Sequence, residues 1–147
     1  MRLTACLILV ACGGSQPAPT PVQPPPSGGT QPGVSLVAED ATHGGHEAII
    51  RDGAEKVHAA LTAAAGRGSY EIHVTLQQLE QGDQLACKIG MGITLMPSRE
   101  MYAFLNGSAK ADGSGDAALA ECIDAVIASL LETQAVPAIR ARASNVR

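Results

Sequence analysis

Four kinds of side chain in this 147-residue sequence have the chemistry to act on a ligand: histidines, cysteines, a glycine-flanked serine and paired carboxylates. His43-Gly44-Gly45-His46 sets two imidazoles three residues apart, and His58 follows on a helical stretch. A zinc site wants three or four converging ligands, commonly completed by Cys or carboxylate. No Cys or carboxylate spacing here completes a known set. His43, His46 and His58 therefore stand as candidate metal or small-ligand residues beside a plainer account as solvated histidines, and His73 falls on the polar side of its strand. In Asp112-Gly113-Ser114-Gly115-Asp116, backbone N–H groups at a helix start could cradle an anion. The two aspartates would repel phosphate, and the P-loop spacing with its lysine is absent. The same serine lies one glycine too close for a Gly-x-Ser-x-Gly nucleophile elbow. Glu71 and Glu100 could meet across strands, where carboxylates are ordinarily solvated. No set of residues makes a catalytic centre, so the chain reads as a non-enzyme without a cofactor.

Charge and composition narrow the partners. Formal net charge is -4 and the pI about 5.5. Lys and Arg are nowhere clustered, which argues against nucleic acid, whose binding rests on phosphate neutralisation. The aromatics are Tyr70, Tyr102 and Phe104 alone, too few for a stacking platform.

The N-terminus has the three parts of a secretory signal: a charge at Arg2, an apolar run over Leu3 to Ala11, and a small-residue exit. That run is about half the roughly 20 residues of a spanning helix. It ends in Leu9-Val10-Ala11-Cys12: a branched apolar residue, a tolerant position, a small residue and cysteine. The tetrad resembles the lipobox of bacterial lipoproteins. The resemblance implies that Cys12 becomes the first mature residue, acylated on sulfur and again on nitrogen. Two or three acyl chains hold a protein stably at a bilayer, where one does not. Gly13, in place of the aspartate that retains enterobacterial lipoproteins at the inner membrane, implies the outer membrane and its periplasmic face, with the inner membrane or the cell surface as alternatives.

Residues 12–33 then form a tether. Seven of the nine prolines fall in it, among Gly, Ser, Thr and Gln and with no charge, so it cannot bury enough surface to fold. Extended, it would reach about 60 Å.

The residues beyond are enough for one domain with its own core. Val34 to Val37 reads as a short strand. Ile50, Gly53, Val57, Leu61 and Ala64 recur at helical spacing over 46–65, with Gly66 as the stop. Gly53 on that apolar stripe predicts a close helix–sheet approach. Tyr70, Ile72, Val74 and Leu76 alternate with polar residues; Gln81-Gly82-Asp83 turns the chain. Leu85, Cys87, Ile89, Met91, Ile93 and Leu95 alternate in the longest strand signal, and Met101 to Ala109 gives a third. Leu119, Cys122, Ile123, Val126, Ile127 and Leu130 stripe a last helix over 116–134, capped by Ser114 or Asp116 and stopped by Pro137.

The order (β)-α-β-β-β-α predicts an α+β fold: an antiparallel sheet of three strands, four if Val34 to Val37 pairs, with two helices on one face. The domain is bounded at 34–140, between the signal (1–11) and tether (12–33) on one side and a frayed tail (141–147) on the other. Cys87 and Cys122 both point into the core by pattern, and in an oxidising compartment they predict a disulfide, with two buried thiols as the alternative.

In element order the domain is similar to small periplasmic accessory lipoproteins, such as penicillin-binding-protein activators and export-pore lipoproteins. The expected function is that of a lipid-anchored, non-catalytic accessory or assembly factor. It would present its domain to an envelope protein through the open sheet face or an edge strand. The alternative is a periplasmic small-ligand or metal-binding module using the histidines.

Overall fold

The computed structural model describes residues 33–145. The expectations for the signal, for Cys12 and for the tether up to residue 32 lie outside the described residues. Strand β1 (Gly33–Asp40) leads to helix α1 (Glu47–Ala65), then to strands β2 (Ser69–Gln81), β3 (Gln84–Leu95) and β4 (Glu100–Asp112). Helix α2 (Asp116–Leu130), a π-helical turn (Leu131–Ala135) and helix α3 (Val136–Asn145) complete the domain. The class is α+β, as expected.

The four strands form one sheet in the order β1-β2-β3-β4. The meander β2-β3-β4 is antiparallel. Strand β1 is a correction: it pairs with β2 in parallel, from Gly33 opposite Ser69 to Asp40 opposite Leu76, so the sheet is mixed and not antiparallel. The cause is the connection. A 19-residue helix between two strands carries the chain back to the end where it started, and the returning strand runs the same way.

Strand alternation sends Ile72, Val74, Leu76, Leu85, Cys87, Ile89, Met91 and Ile93 to one face, where all are buried. Helix α1 lies over β1 and β2, and α2 over β3 and β4. Ile50 and Leu61 of α1 and Leu119, Ile123 and Ile127 of α2 are fully buried against them. Each such side chain contributes about 1.5–3 kcal/mol of transfer free energy.

Two glycines set how closely the layers meet. A Cβ on Gly53 would lie 3.0 Å from Asp124 Oδ1 and 3.1 Å from Ile123 Cγ2, so Gly53 serves the contact of α1 with α2 and not the predicted helix–sheet approach. The helix–sheet approach belongs to Gly107 on β4, whose Cβ would lie 2.9 Å from Val126 Cγ1 and 3.2 Å from Leu130.

Neither Ser114 nor Asp116 caps α2. Gly115, in a left-handed conformation (φ 84°), occupies the cap position, and Asp116 is the acidic residue of the first turn, where it complements the helix dipole. Pro137 does not stop the last helix either. Its ring and missing N–H are incompatible with a regular α turn. The turn immediately before it is π-wound, and the chain continues as α3 to Asn145. Residues 141–145, expected to fray, are therefore helical, and Ile139 ahead of them is fully buried. The run Asp116–Asn145 is long and apolar enough to cross a membrane by length and composition alone. Its apolar stripe is instead spent on the sheet: Leu119, Cys122, Ile123, Val126, Ile127 and Leu130 are all buried within the domain.

Candidate functional site

The second face of the sheet has no described element packed over it. Its row across the middle is Val37, His73, Gly92 and Phe104, each opposite the next in register. A bulge on β4, between the pairs Ile93–Ala103 and Thr94–Met101, puts Met101 on this same face and turns Tyr102 to the other. Glycine makes the floor. A Cβ on Gly92 would meet Phe104 Cδ2 at 3.8 Å and Met101 Sδ at 3.9 Å; one on Gly90 would meet Phe104 Cζ at 3.0 Å and Gln77 Nε2 at 2.5 Å. Phe104 thus lies over bare strand backbone, an aromatic covering glycine. Val37 (37% exposed), Met101 (64%) and Phe104 (54%) are the large exposed apolar side chains among the described residues, and all three are here. Polar groups surround them: His73 Nε2 donates to Glu71 Oε1 at 2.7 Å, and Asn106, Ser108 and Lys110 continue the outward side of β4. The face thus has an apolar centre with a polar margin.

Sequence periodicity had a signal for this cluster. Phe104 is in phase with Asn106, Ser108 and Lys110, so alternation alone puts the one phenylalanine on the polar face of β4. Met101 was out of reach, because the bulge at Tyr102 breaks the period of two.

The histidines are each engaged in the fold and do not gather into a ligand set. His46 Nδ1 donates to Asp40 Oδ2 at 2.9 Å, and His58 Nε2 donates to the Val34 carbonyl at 2.7 Å. His43 sits in the loop after β1 with φ 58°, its backbone N–H donating to the Asp40 carbonyl at 3.3 Å. Among the described residues no three of His, Cys, Asp and Glu converge on a point that could hold a metal. Glu71 and Glu100 do not face each other: Glu71 is opposite Thr94, and Glu100 opposite Leu95.

Asp40 was not legible as a special residue. It is 4% exposed and accepts from Thr42 N (2.9 Å), the Thr42 hydroxyl, His46 N (3.0 Å) and the His46 ring. Burial alone would push its pKa up. The bonds from the Thr42 hydroxyl, both backbone amides and the imidazole outweigh burial and hold the carboxyl well below the usual carboxylate range. The ionised carboxylate is an acceptor only, so Nδ1 of His46 carries the proton between them. This pins the loop from β1 into α1 and is structural. Cys87 of β3 and Cys122 of α2 are disulfide-bonded, with Cα atoms 6.2 Å apart. The bond ties the second helix to the centre of the sheet.

No protein family and no curated protein matches the sequence. Solved structures resemble the domain. Protein XCC0632 from Xanthomonas campestris, of the DUF330 family, aligns with a TM-score of 0.50 at 8% identity, over 83% of this chain and 94% of that one. A candidate lipoprotein from Caulobacter crescentus CB15 gives 0.47 at 10% identity, over 78% and 93%. The PelC dodecamer from Paraburkholderia phytofirmans gives 0.46 at 14%, over 69% and 87%. At 8% identity the likeness to XCC0632 speaks to the fold alone, and the two below 0.50 add nothing to it.

Proposed function

We propose that this chain is a bacterial lipoprotein anchored through Cys12, on the periplasmic face of the outer membrane. Its domain acts without catalysis, as an accessory or assembly factor that holds a protein partner on the uncovered face of the sheet. The observation that carries the contact is the gathering of Val37, Met101 and Phe104 on that one face over a glycine floor. The anchor is supported by Leu9-Val10-Ala11-Cys12 and the proline-rich stretch after it. That stretch joins the domain at Gly33, the first residue of edge strand β1.

A photo-crosslinking amino acid at Phe104 in intact cells tests the contact, with Glu55 on the outer side of α1 as the control position. One discrete adduct at Phe104, lost when Val37→Asp is added and absent at Glu55, is expected. No adduct, or equal adducts at both positions, would sink the assignment of this face.

A further inference from the structure

A cleft of about 730 Å³ opens at one end of the domain, away from the open sheet face, between the end of α1, the start of β2, the β3–β4 link and the last turn of α3. Arg67, Tyr70, Ser98 and Arg142 give it polar groups, and Leu95 and Met96 an apolar wall. None of its lining residues is a carboxylate. Among the described residues no Asp or Glu forms an ion pair with Arg67 or Arg142. In a chain with 14 acidic and 10 basic side chains, two guanidinium groups around one cavity with no Asp or Glu of the described residues paired to them need an account.

Neutralising helix ends is not a sufficient one. Helices α1 and α3 both finish at this end, each with a partial charge of about -0.5, so two full positive charges leave the cleft at roughly +1. Arg142 is also held in place: its guanidinium carbon sits 5.2 Å from the centre of the Tyr102 ring, and the Tyr102 hydroxyl donates to the Ala138 carbonyl at 3.1 Å. Tyr70 is 4% exposed, and burial raises its phenol pKa while the nearby Arg142 charge draws it back. The phenol therefore stays a neutral donor beside a fixed cation.

We infer that this cleft binds a phosphate ester, with Arg67 and Arg142 on the phosphate and Leu95 and Met96 against an attached apolar group. Arginine's fork of donors suits phosphate oxygens, and phosphate keeps its charge in an accessible cleft. Two sources share this chemistry: an anionic phospholipid headgroup and a soluble phosphate ester. The membrane source rests on the anchor proposed above. The backbone of Gly33, where the lipid-bearing segment enters, donates to Gly68 of the cleft at 3.1 Å, so the cleft lies at the corner where the anchor joins.

The chain has two tyrosines and no tryptophan, and Tyr70 and Tyr102 both lie beside Arg142, so tyrosine fluorescence reports on this site. The full-length protein in nonionic micelles is titrated with phosphatidylglycerol, with phosphatidylcholine and with sn-glycerol 3-phosphate. A saturable change with phosphatidylglycerol and none with phosphatidylcholine is expected. Affinity should fall about tenfold in Arg67→Gln and Arg142→Gln, less in Arg142→Lys, and stay unchanged in Arg51→Gln on the outer side of α1. The same saturable, Arg67-dependent response to glycerol 3-phosphate would support the site with a soluble ester as its source. No response to either phosphate probe, or equal loss in Arg51→Gln, overturns the inference and leaves acylation of Cys12 unaffected as a separate question.

Discussion

Asp40 shows how one side chain can settle a junction. Removing it leaves the amides of Thr42 and His46 without the acceptor they share. Because those bonds go to a charged group in a buried position, Asp40→Ala should cost about 2 kcal/mol near neutral pH. The sign of the pH dependence follows from the depressed pKa. The unfolded carboxyl titrates at about 3.9, and the folded one lies below it. Its contribution is complete above about pH 5 and fades as the pH falls through the unfolded value toward the folded one. Urea unfolding of the wild type and Asp40→Ala at pH 7 and pH 3 checks this: the gap between them should narrow at pH 3, and an unchanged gap would refute the assignment.

At the scale of elements, the disulfide and the glycine contacts decide how the helices sit. The bond closes a 35-residue separation and should stabilise the fold by about 3–4 kcal/mol in the chain-entropy account. Reduction with dithiothreitol should lower the urea midpoint accordingly; an unmoved midpoint, or free thiols at Cys87 and Cys122 in the denatured unreduced protein, would contradict it. Gly107→Ala forces a methyl to 2.9 Å of Val126 and should destabilise by about 1–3 kcal/mol, at about 4–8 °C of melting temperature for each. A melting temperature at or above wild type would show that α2 rides up freely. The strands and helices whose side chains alternate or recur against one core were readable: β2, β3, α1, and α2 through Leu130 with Cys122 on its inner stripe. What periodicity cannot carry is pairing between distant segments. Val34 to Val37 looked like a strand but gave no direction, and Pro137 looked like a stop because the π turn that admits it has no local signature. Gly53 was read as a close approach, yet its partner, α2, lies some seventy residues on. Arg67 and Arg142 likewise line one cleft only because α3 continues past Pro137 to the end of the sheet where β2 begins.

The described domain has two unlike sheet faces and one basic corner. One sheet face carries the core under α1 and α2, and the other carries the exposed trio Val37, Met101 and Phe104. The basic cleft and the entry of the N-terminal segment share a corner, so a headgroup in the cleft and an acyl anchor on Cys12 would draw the same end of the domain to the bilayer. The open sheet face would then remain available to a protein partner, and the proline-rich stretch between Cys12 and Gly33 would set how far from the membrane that partner is met. All of this depends on the anchor. Mass spectrometry of the mature N-terminus, from protein produced with its own leader in a bacterial host, measures it directly. The account predicts a chain that begins at Cys12 and carries two or three acyl groups, with acylation abolished in Cys12→Ala. A mature chain that begins elsewhere, or an unmodified Cys12, would contradict it.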